Sequence, residues 1–225
     1  MKTRSKVERT KIHNRLPVAR EGFPFILIGI LITLSCLLFH LLVPGILAAV
    51  LALFTIYFFR DPDRRAEVEE KVILAPADGR VVEIRTLEDG ENPFGEPALK
   101  VGIFMSIFDV HVNRIPTTGR ISKIQYRPGR FLSANLDKAS EENENNRITL
   151  ETPDGGRLLV VQIAGLIARR IACWVRENDL VKAGMRFGLI RFGSRLDVYL
   201  PRESRVLVQR NQKVKAGLTK LGYLP

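Results

Sequence analysis

Charge is absent from one long stretch of this 225-residue chain: residues 23–59 hold no Asp, Glu, Lys or Arg, and His40 is their only histidine. As one straight helix those 37 residues would run roughly 55 Å, against a bilayer hydrocarbon core of about 30 Å. A secretory signal is the competing reading and fits less well than a membrane hairpin, because its apolar core is only about 7–15 residues and ends at a small-residue cleavage site. This run ends in Tyr57-Phe58-Phe59-Arg60. Pro44-Gly45 sits in its middle and predicts two short membrane-spanning helices, about Phe23–Val43 and Ile46–Phe59, joined by a tight turn. Cysteine is scarce too. Cys36 and Cys173 are the only two, too few for a disulfide framework or a cysteine metal cluster, and both read as small apolar residues. Histidine numbers three, which argues against a His-rich metal site, so no metal is expected. No Gly-x-Ser-x-Gly elbow occurs, which leaves an α/β-hydrolase without its signature. Internal repeats and low-complexity tracts are missing as well.

What is present is basic and unevenly placed. Residues 1–22 carry seven Lys/Arg against two Glu, +5 of the formal +11, which leaves +6 for the 166 residues from Arg60 onward. Lys2 to Arg20 precede the uncharged run, and Arg60, Arg64 and Arg65 follow it. Basic flanks stay on the cytoplasmic side, so a hairpin with both ends inside satisfies both clusters. That places the chain in the cell membrane, with everything after the hairpin on the cytoplasmic face against lipid headgroups. The same charges could bind nucleic acid, but no basic patch interleaved with aromatics supports it, and no nucleic-acid partner is expected. Arg60–Arg65 either set this topology or also attract anionic lipid, at about 1 kcal/mol per charge.

Beyond the hairpin the pattern turns to short Val/Ile-rich runs. Lys71–Ala75, Gly79–Ile84, Ala98–Ser106, Gly119–Tyr126, Arg147–Thr152, Arg157–Ala164, Ile171–Val175, Arg186–Phe192 and Arg195–Leu200 are separated by Gly, Pro, Asn and Asp, as a sandwich or barrel requires. Ser133–Asn146 is polar and acidic and reads as an exposed loop, while Leu166–Trp174 is ambiguous between helix and strand. The fold class is mainly β (α+β): a sandwich-barrel-like domain over residues 60–225, preceded by a basic N-terminus, 1–22, and an α-helical membrane hairpin, 23–59.

Three positions could carry chemistry. Gly193-Ser194 interrupts two extended runs, and a glycine there marks a bulge or a close backbone approach. A serine hydroxyl after such a glycine can reach the carbonyl of its own peptide bond, which suits a tight turn or self-cleavage by acyl shift. Asp78, in Ala75-Pro-Ala-Asp-Gly79, reads as an Asx-turn or as a functional carboxylate. His111 is the only histidine after the hairpin, with polar neighbours Asp109, Asn113 and Arg114. It is either a satisfied structural residue or a base. Together Ser194, His111 and Asp78 could form an activated nucleophile, a base beside a hydroxyl with a carboxylate fixing the ring.

The pieces Phe58-Phe-Arg-Asp-Pro-Asp-Arg64, Ala75-Pro-Ala-Asp-Gly79, Phe104-Met-Ser-Ile-Phe-Asp-Val-His-Val-Asn-Arg114 and Arg191-Phe-Gly-Ser-Arg195, in this order behind a hairpin, resemble the short, bacterial-type phosphatidylserine decarboxylase proenzymes. The resemblance spans the chain from the hairpin onward. It implies a pyruvoyl enzyme that makes its own cofactor: Ser194 attacks the Gly193 carbonyl, an ester forms, and elimination releases residues 1–193 as a large chain. Loss of ammonia then leaves a pyruvoyl group, derived from Ser194, at the head of the small chain 194–225. His111 is implied as the base, with Asp78 orienting it or stabilising its charged form. A ketone conjugated with a carbonyl can accept the electrons that decarboxylation leaves on Cα. The implied partners are phosphatidylserine as substrate, membrane lipids, and each chain for the other, with a homo-oligomer left open.

Two positions depart from the longer members. They resemble His-x-x-His where this chain has His111 and Arg114, and Leu-Gly-Ser-Thr where it has Phe192-Gly-Ser-Arg195. Two other readings stay open. Gly79–Ile84 with Asn178–Gly188 is similar to the hairpins of lipoyl- and biotinyl-carrier modules, so a membrane-tethered carrier or adaptor without catalysis is the alternative, although no modifiable Lys at a hairpin tip is found. A pyruvoyl decarboxylase for another amino-acid-headed lipid is the other.

Overall fold

The computed structural model describes residues 17–65, 69–88, 93–133, 142–166, 171–191 and 193–225. The chain divides into two compact units, one of residues 13–63 and the other holding residues 64–225.

The first unit is a helical hairpin of α1 (Phe23–Leu38) and α2 (Leu42–Phe58). The turn falls at Phe39–Leu41, not at Pro44-Gly45. His40 takes the left-handed conformation, φ 56°, and the Leu41 amide closes the end of α1 on Cys36 O at 2.7 Å. Pro44 instead lies in the first turn of α2, where its missing N–H has no partner to lose. Thr33 and Thr55 each donate a hydroxyl to the carbonyl four residues back, at 2.8 Å, so neither presents an unsatisfied polar group on an apolar helix. The helices close on small residues: a Cβ on Gly29 would lie 2.9 Å from the Ala52 methyl, a close approach characteristic of helix pairs in lipid. At the base, Val18 bridges Arg60 and the Asp61 amide donates to Pro17 O at 2.7 Å, so both strands of the hairpin leave at one end. The helical stretch Arg20–Leu38 is long and apolar enough to cross a membrane; Leu42–Phe58 is shorter. Their apolar side chains point outward, with Leu38 75% and Leu51 65% exposed.

The second unit is built from β-strands. They are β1 (Val72–Leu74), β2 (Gly79–Leu87), β3 (Ala98–Met105), β4 (Val112–Arg114), β5 (Gly119–Arg127), β6 (Asn145–Glu151), β7 (Arg157–Ile163), β8 (Ile171–Cys173), β9 (Leu180–Val181), β10 (Arg186–Ile190), β11 (Ser194–Pro201), β12 (Arg205–Val206), β13 (Lys213–Val214) and β14 (Lys220–Tyr223). Eight form a curled sheet in the order β13-β2-β3-β11-β7-β6-β5-β9, and two three-stranded sheets, β1-β14-β12 and β4-β10-β8, accompany it. Among the described residues, the pairings between these strands are all antiparallel. The mainly β expectation holds, with each apolar run in its strand. The short β4, β9, β12, β13 and β14 carry too few residues to show a period of two.

Alternation along β11 divides the sheet's two faces. Leu196, Val198 and Leu200 join Val101, Ile103, Ile148, Leu150, Leu158 and Val160 in the main core. Burying each such side chain contributes about 1.5–3 kcal/mol. Tyr199 faces the other way, with Leu159, Val161 and Ile163. The polar stretch expected as an exposed loop behaves differently at its end: Asn143, Glu144, Asn145 and Asn146 are all buried and lead into β6. Residues 134–141 of that loop, residues 167–170 of the ambiguous segment and residues 1–16 of the basic N-terminus lie outside the described residues.

Candidate active site

Strand register brings Ser194 and the Asp78-Gly79 corner to one end of the eight-stranded sheet. Ser194 opens β11 opposite Met105, the last residue of β3, and Arg195 pairs with Phe104. On the other side of β3, Arg80 also pairs with Phe104, so the Asp78-Gly79 corner, Met105 and Ser194 share one edge. Gly79 makes that corner possible: at φ 145° its hypothetical Cβ would lie 2.0 Å from Phe104 O. His111 directly precedes β4, whose Val112 pairs with Leu189 of β10, and β10 runs on toward Gly193-Ser194.

Gly193 is required by conformation rather than by crowding. Its φ is +62°, and a Cβ placed on it meets nothing within 4 Å. The sequence allowed a bulge or a close approach; what is found is a left-handed residue immediately before a strand, a conformation that glycine adopts without penalty. Ser194 is fully buried, and its hydroxyl lies 4.0 Å from Met105 Sδ. Phe192 lies outside the described residues.

His111 is also fully buried. Its Nδ1 lies 2.9 Å from the carbonyl oxygen of Asp109. A carbonyl only accepts, so Nδ1 carries the hydrogen and the neutral ring keeps its basic lone pair on Nε2. The Asp109 carboxylate holds the supporting turn, accepting from the Ser106 amide at 2.8 Å and the Ser106 hydroxyl at 2.7 Å. Sequence reasoning missed this backbone partner, although Ser-x-x-Asp is a readable turn signal.

Asp78 is held elsewhere. Arg64 donates to both of its oxygens, at 2.5 and 2.8 Å, and the Ala216 amide donates to Oδ1 at 2.7 Å. Arg64 also donates to Ala216 O at 2.8 Å. For Arg64 this argues against the lipid-attracting alternative, since its side chain is only 9% exposed. No sequence signal linked it to Asp78. Beside this pair, the Arg114 amide donates to Pro76 O at 2.8 Å and its guanidinium to Gly184 O at 2.9 Å. Arg114, at the position where longer members resemble a second histidine, is thus a buried structural cation.

A neutral polar relay completes the Ser194 side. Asn146 donates to Gln162 Oε1 at 3.0 Å, Gln162 to Asn113 Oδ1 at 2.9 Å, and Asn113 to Met105 Sδ at 3.6 Å. All three amides are buried. β10 crosses over them: a Cβ on Gly188 would lie 2.9 Å from Gln162 Nε2. A lone glutamine inside the apolar run Arg157–Ala164 was the visible trace of this relay. Cys173 is a free thiol whose pKa is pushed up by burial, which makes it unreactive. Two surface concavities of 480 and 610 Å³, lined by Thr118, Thr152 and Pro153 among others, lie at the opposite end of the sheet, away from Ser194, His111 and Asp78.

Comparison with known proteins decides what kind of protein carries this arrangement. A family model described as phosphatidylserine decarboxylase matches residues 51–222. The chain belongs to the phosphatidylserine decarboxylase family. Among its relatives, a phosphatidylserine decarboxylase proenzyme of Syntrophus aciditrophicus is 53% identical over 207 residues, 91% of this chain and 96% of that one. Proenzymes of the same name from Xanthobacter autotrophicus and Azorhizobium caulinodans are 50% and 52% identical, covering 92% and 91% of this chain and 88% of each relative. A phosphatidylserine decarboxylase family is a family of enzymes, so the alternative of a carrier or adaptor without catalysis falls away.

Proposed function

We propose that the chain is a proenzyme that cuts itself between Gly193 and Ser194 and then decarboxylates phosphatidylserine to phosphatidylethanolamine, using a pyruvoyl group at residue 194. One observation supports the reading: a buried serine heads β11 behind a left-handed glycine, opposite Met105, whose Sδ is shared by the Ser194 hydroxyl and by Asn113, two residues after His111. The surroundings fit such a group. Gly193 is unobstructed, Ser194 is closed off from water, and the Met105 sulfur beside its hydroxyl also accepts from the buried, uncharged amide of Asn113.

In processing, Ser194 Oγ attacks the Gly193 carbonyl as His111 Nε2 takes its proton; the ring passes that proton to the departing Ser194 nitrogen, so the amide becomes an ester with a free Ser194 amine and His111 is again neutral. His111 then removes the Ser194 α-proton. The Cβ–O bond breaks, and residues 1–193 leave as a carboxylate. Addition of water and loss of ammonia leave residue 194 as the ketone. Once formed, the group supplies an electron sink for the substrate carbon that loses carbon dioxide. His111 is then placed to return a proton to that carbon. Asp78 is assigned a positioning role: locked to Arg64, it fixes the Pro76–Gly79 corner that holds β4, and with it His111.

The hairpin is assigned to the membrane, with the β unit on the cytoplasmic face, because basic residues flank both of its ends. The test is turnover of purified protein in mixed micelles. Carbon dioxide and phosphatidylethanolamine should appear from phosphatidylserine, and hydroxylamine should abolish the activity by capping the ketone. Turnover of a different aminolipid alone would reassign the substrate, and no turnover with any would refute the activity.

A further inference from the structure

Behind Ser194, on the opposite face of β11, lies a ring of four charges. Arg195 is fully buried. Its Nε donates to Asp197 Oδ1 at 2.6 Å, and its Nη2 donates to Glu83 Oε2. Lys100 Nζ closes the ring, 2.9 Å from Glu83 and 3.2 Å from Asp197. Two cations and two carboxylates therefore join β2, β3 and β11 with no net charge. The space is set aside for them: a Cβ on Gly102 would lie 2.4 Å from Arg195 Nη2 and 2.9 Å from Asp197 Oδ1.

Such a ring is a poor device for stability alone, because desolvating ions offsets most of their attraction. Here burial works against the Arg195 cation, yet Asp197 and Glu83 reverse the balance and its pKa stands raised. Burial likewise opposes the Glu83 carboxylate, which Lys100 and Arg195 nevertheless hold below its ordinary value. What the ring does supply is register, the best-attested use of buried polar groups.

Register becomes a problem only after processing. Cutting before Ser194 would leave β11 starting at a free end inside the sheet, and free ends fray. The nitrogen of residue 194 departs as ammonia. Arg195 is then the first residue of the small chain with a backbone N–H and with an intact side chain. Across the cut, the ring divides evenly: Arg195 and Asp197 belong to residues 194–225, Glu83 and Lys100 to residues 1–193.

We propose that Arg195 is a positioning residue for the processed enzyme, an ionic anchor that holds the reactive head of the small chain opposite Met105 by locking it to Glu83 of the large chain. The proposal rests on cleavage at Gly193–Ser194.

The test uses the full chain in detergent with a tag on the large chain. Arg195→Met and Arg195→Lys are compared with wild type for extent of cleavage, small chain retained on capture, and kcat against KM. The stability of Arg195→Met is measured with and without Ser194→Ala. Arg195→Met should still cleave but lose about tenfold or more in kcat, as misplacement by an ångström does, with KM little changed. Its small chain should be shed at salt or denaturant levels that wild type withstands, and Arg195→Lys should restore most of both. In the uncleaved Ser194→Ala background, Arg195→Met should lower Tm by less than in the cleaved form, because the stranded Asp197 and Glu83 carboxylates cost both forms alike while only the cleaved form also loses its anchor. Wild-type kcat and retention in cleaved Arg195→Met would overturn the anchor, as would an equal Tm loss in cleaved and uncleaved forms. Should Arg195→Met fail to accumulate, Glu83→Gln takes its place: lost kcat and a shed small chain support the anchor, and wild-type values of both overturn it. A wild-type chain that never cleaves removes both the functional reading and the anchor. A wild type that cleaves beside an Arg195→Met that behaves identically removes the anchor alone.

Discussion

The two faces of β11 differ in the kind of polar group each one buries. Ser194 looks onto a neutral environment of Met105 and the amides Asn113, Gln162 and Asn146, with no charged group in that relay. Arg195, one residue on, is surrounded by Asp197, Glu83 and Lys100. Both faces are buried, so burial does not distinguish them. The neutral face suits a hydroxyl that must attack a carbonyl and a ketone that must take up electrons, because buried, fixed amide dipoles away from water are a preorganised setting for developing charge. The charged face suits holding a strand in place, because ion pairs specify position better than they stabilise. Alternation along a strand lets adjacent residues serve these two ends without compromise.

The largest expected effect lies on the neutral face. Ser194→Ala should leave an intact, inactive chain of 225 residues that still folds, seen on a denaturing gel and in a turnover assay. His111→Ala should slow cleavage by about 10²–10⁴-fold, the range for a lost general base, measured as the half-time of appearance of the small chain. Wild-type processing in that variant would remove His111 from the mechanism. Gln162→Leu should cost about 1–3 kcal/mol by stranding the Asn113 and Asn146 amides, as buried unsatisfied groups do; thermal unfolding in the Ser194→Ala background isolates that loss. The smallest effect belongs to the charged face and to pH. Glu83 has its folded pKa held below its ordinary 4.5. Its contribution is therefore complete above about pH 4.5 and disappears as the pH falls through the lower folded value. Tm should drop on acidification through that window, and Glu83→Gln should flatten the drop. An unchanged slope would mean that the ring carries no linkage.

Much of this contrast is legible in the sequence. The alternating Val/Ile runs announce the strands, and the uncharged run announces the hairpin. Gly193-Ser194, His111 and Asp78 stand out as residues with no plain core role. What escapes is partnership over long separations. Arg64 and Asp78 are 14 residues apart, Asn113 and Gln162 are 49 apart, and Glu83 and Arg195 are 112 apart. A side-chain pair of this kind has no period and no local spacing, so only the register of the sheet reveals it. The hairpin turn is misplaced for a local reason: proline is read as a breaker, yet in the first turn of a helix it breaks nothing. Asp109 escapes because it acts on His111 through its backbone oxygen, which every residue type possesses.

All of the proposed chemistry depends on the bond between Gly193 and Ser194 being cut by the chain itself. Intact mass spectrometry of the purified, full-length product measures this directly. Two polypeptides should appear, residues 1–193 and a 32-residue partner from residue 194 onward that lacks an amino terminus and reacts with hydroxylamine. A single uncut polypeptide of full mass, unreactive toward hydroxylamine, would contradict the account.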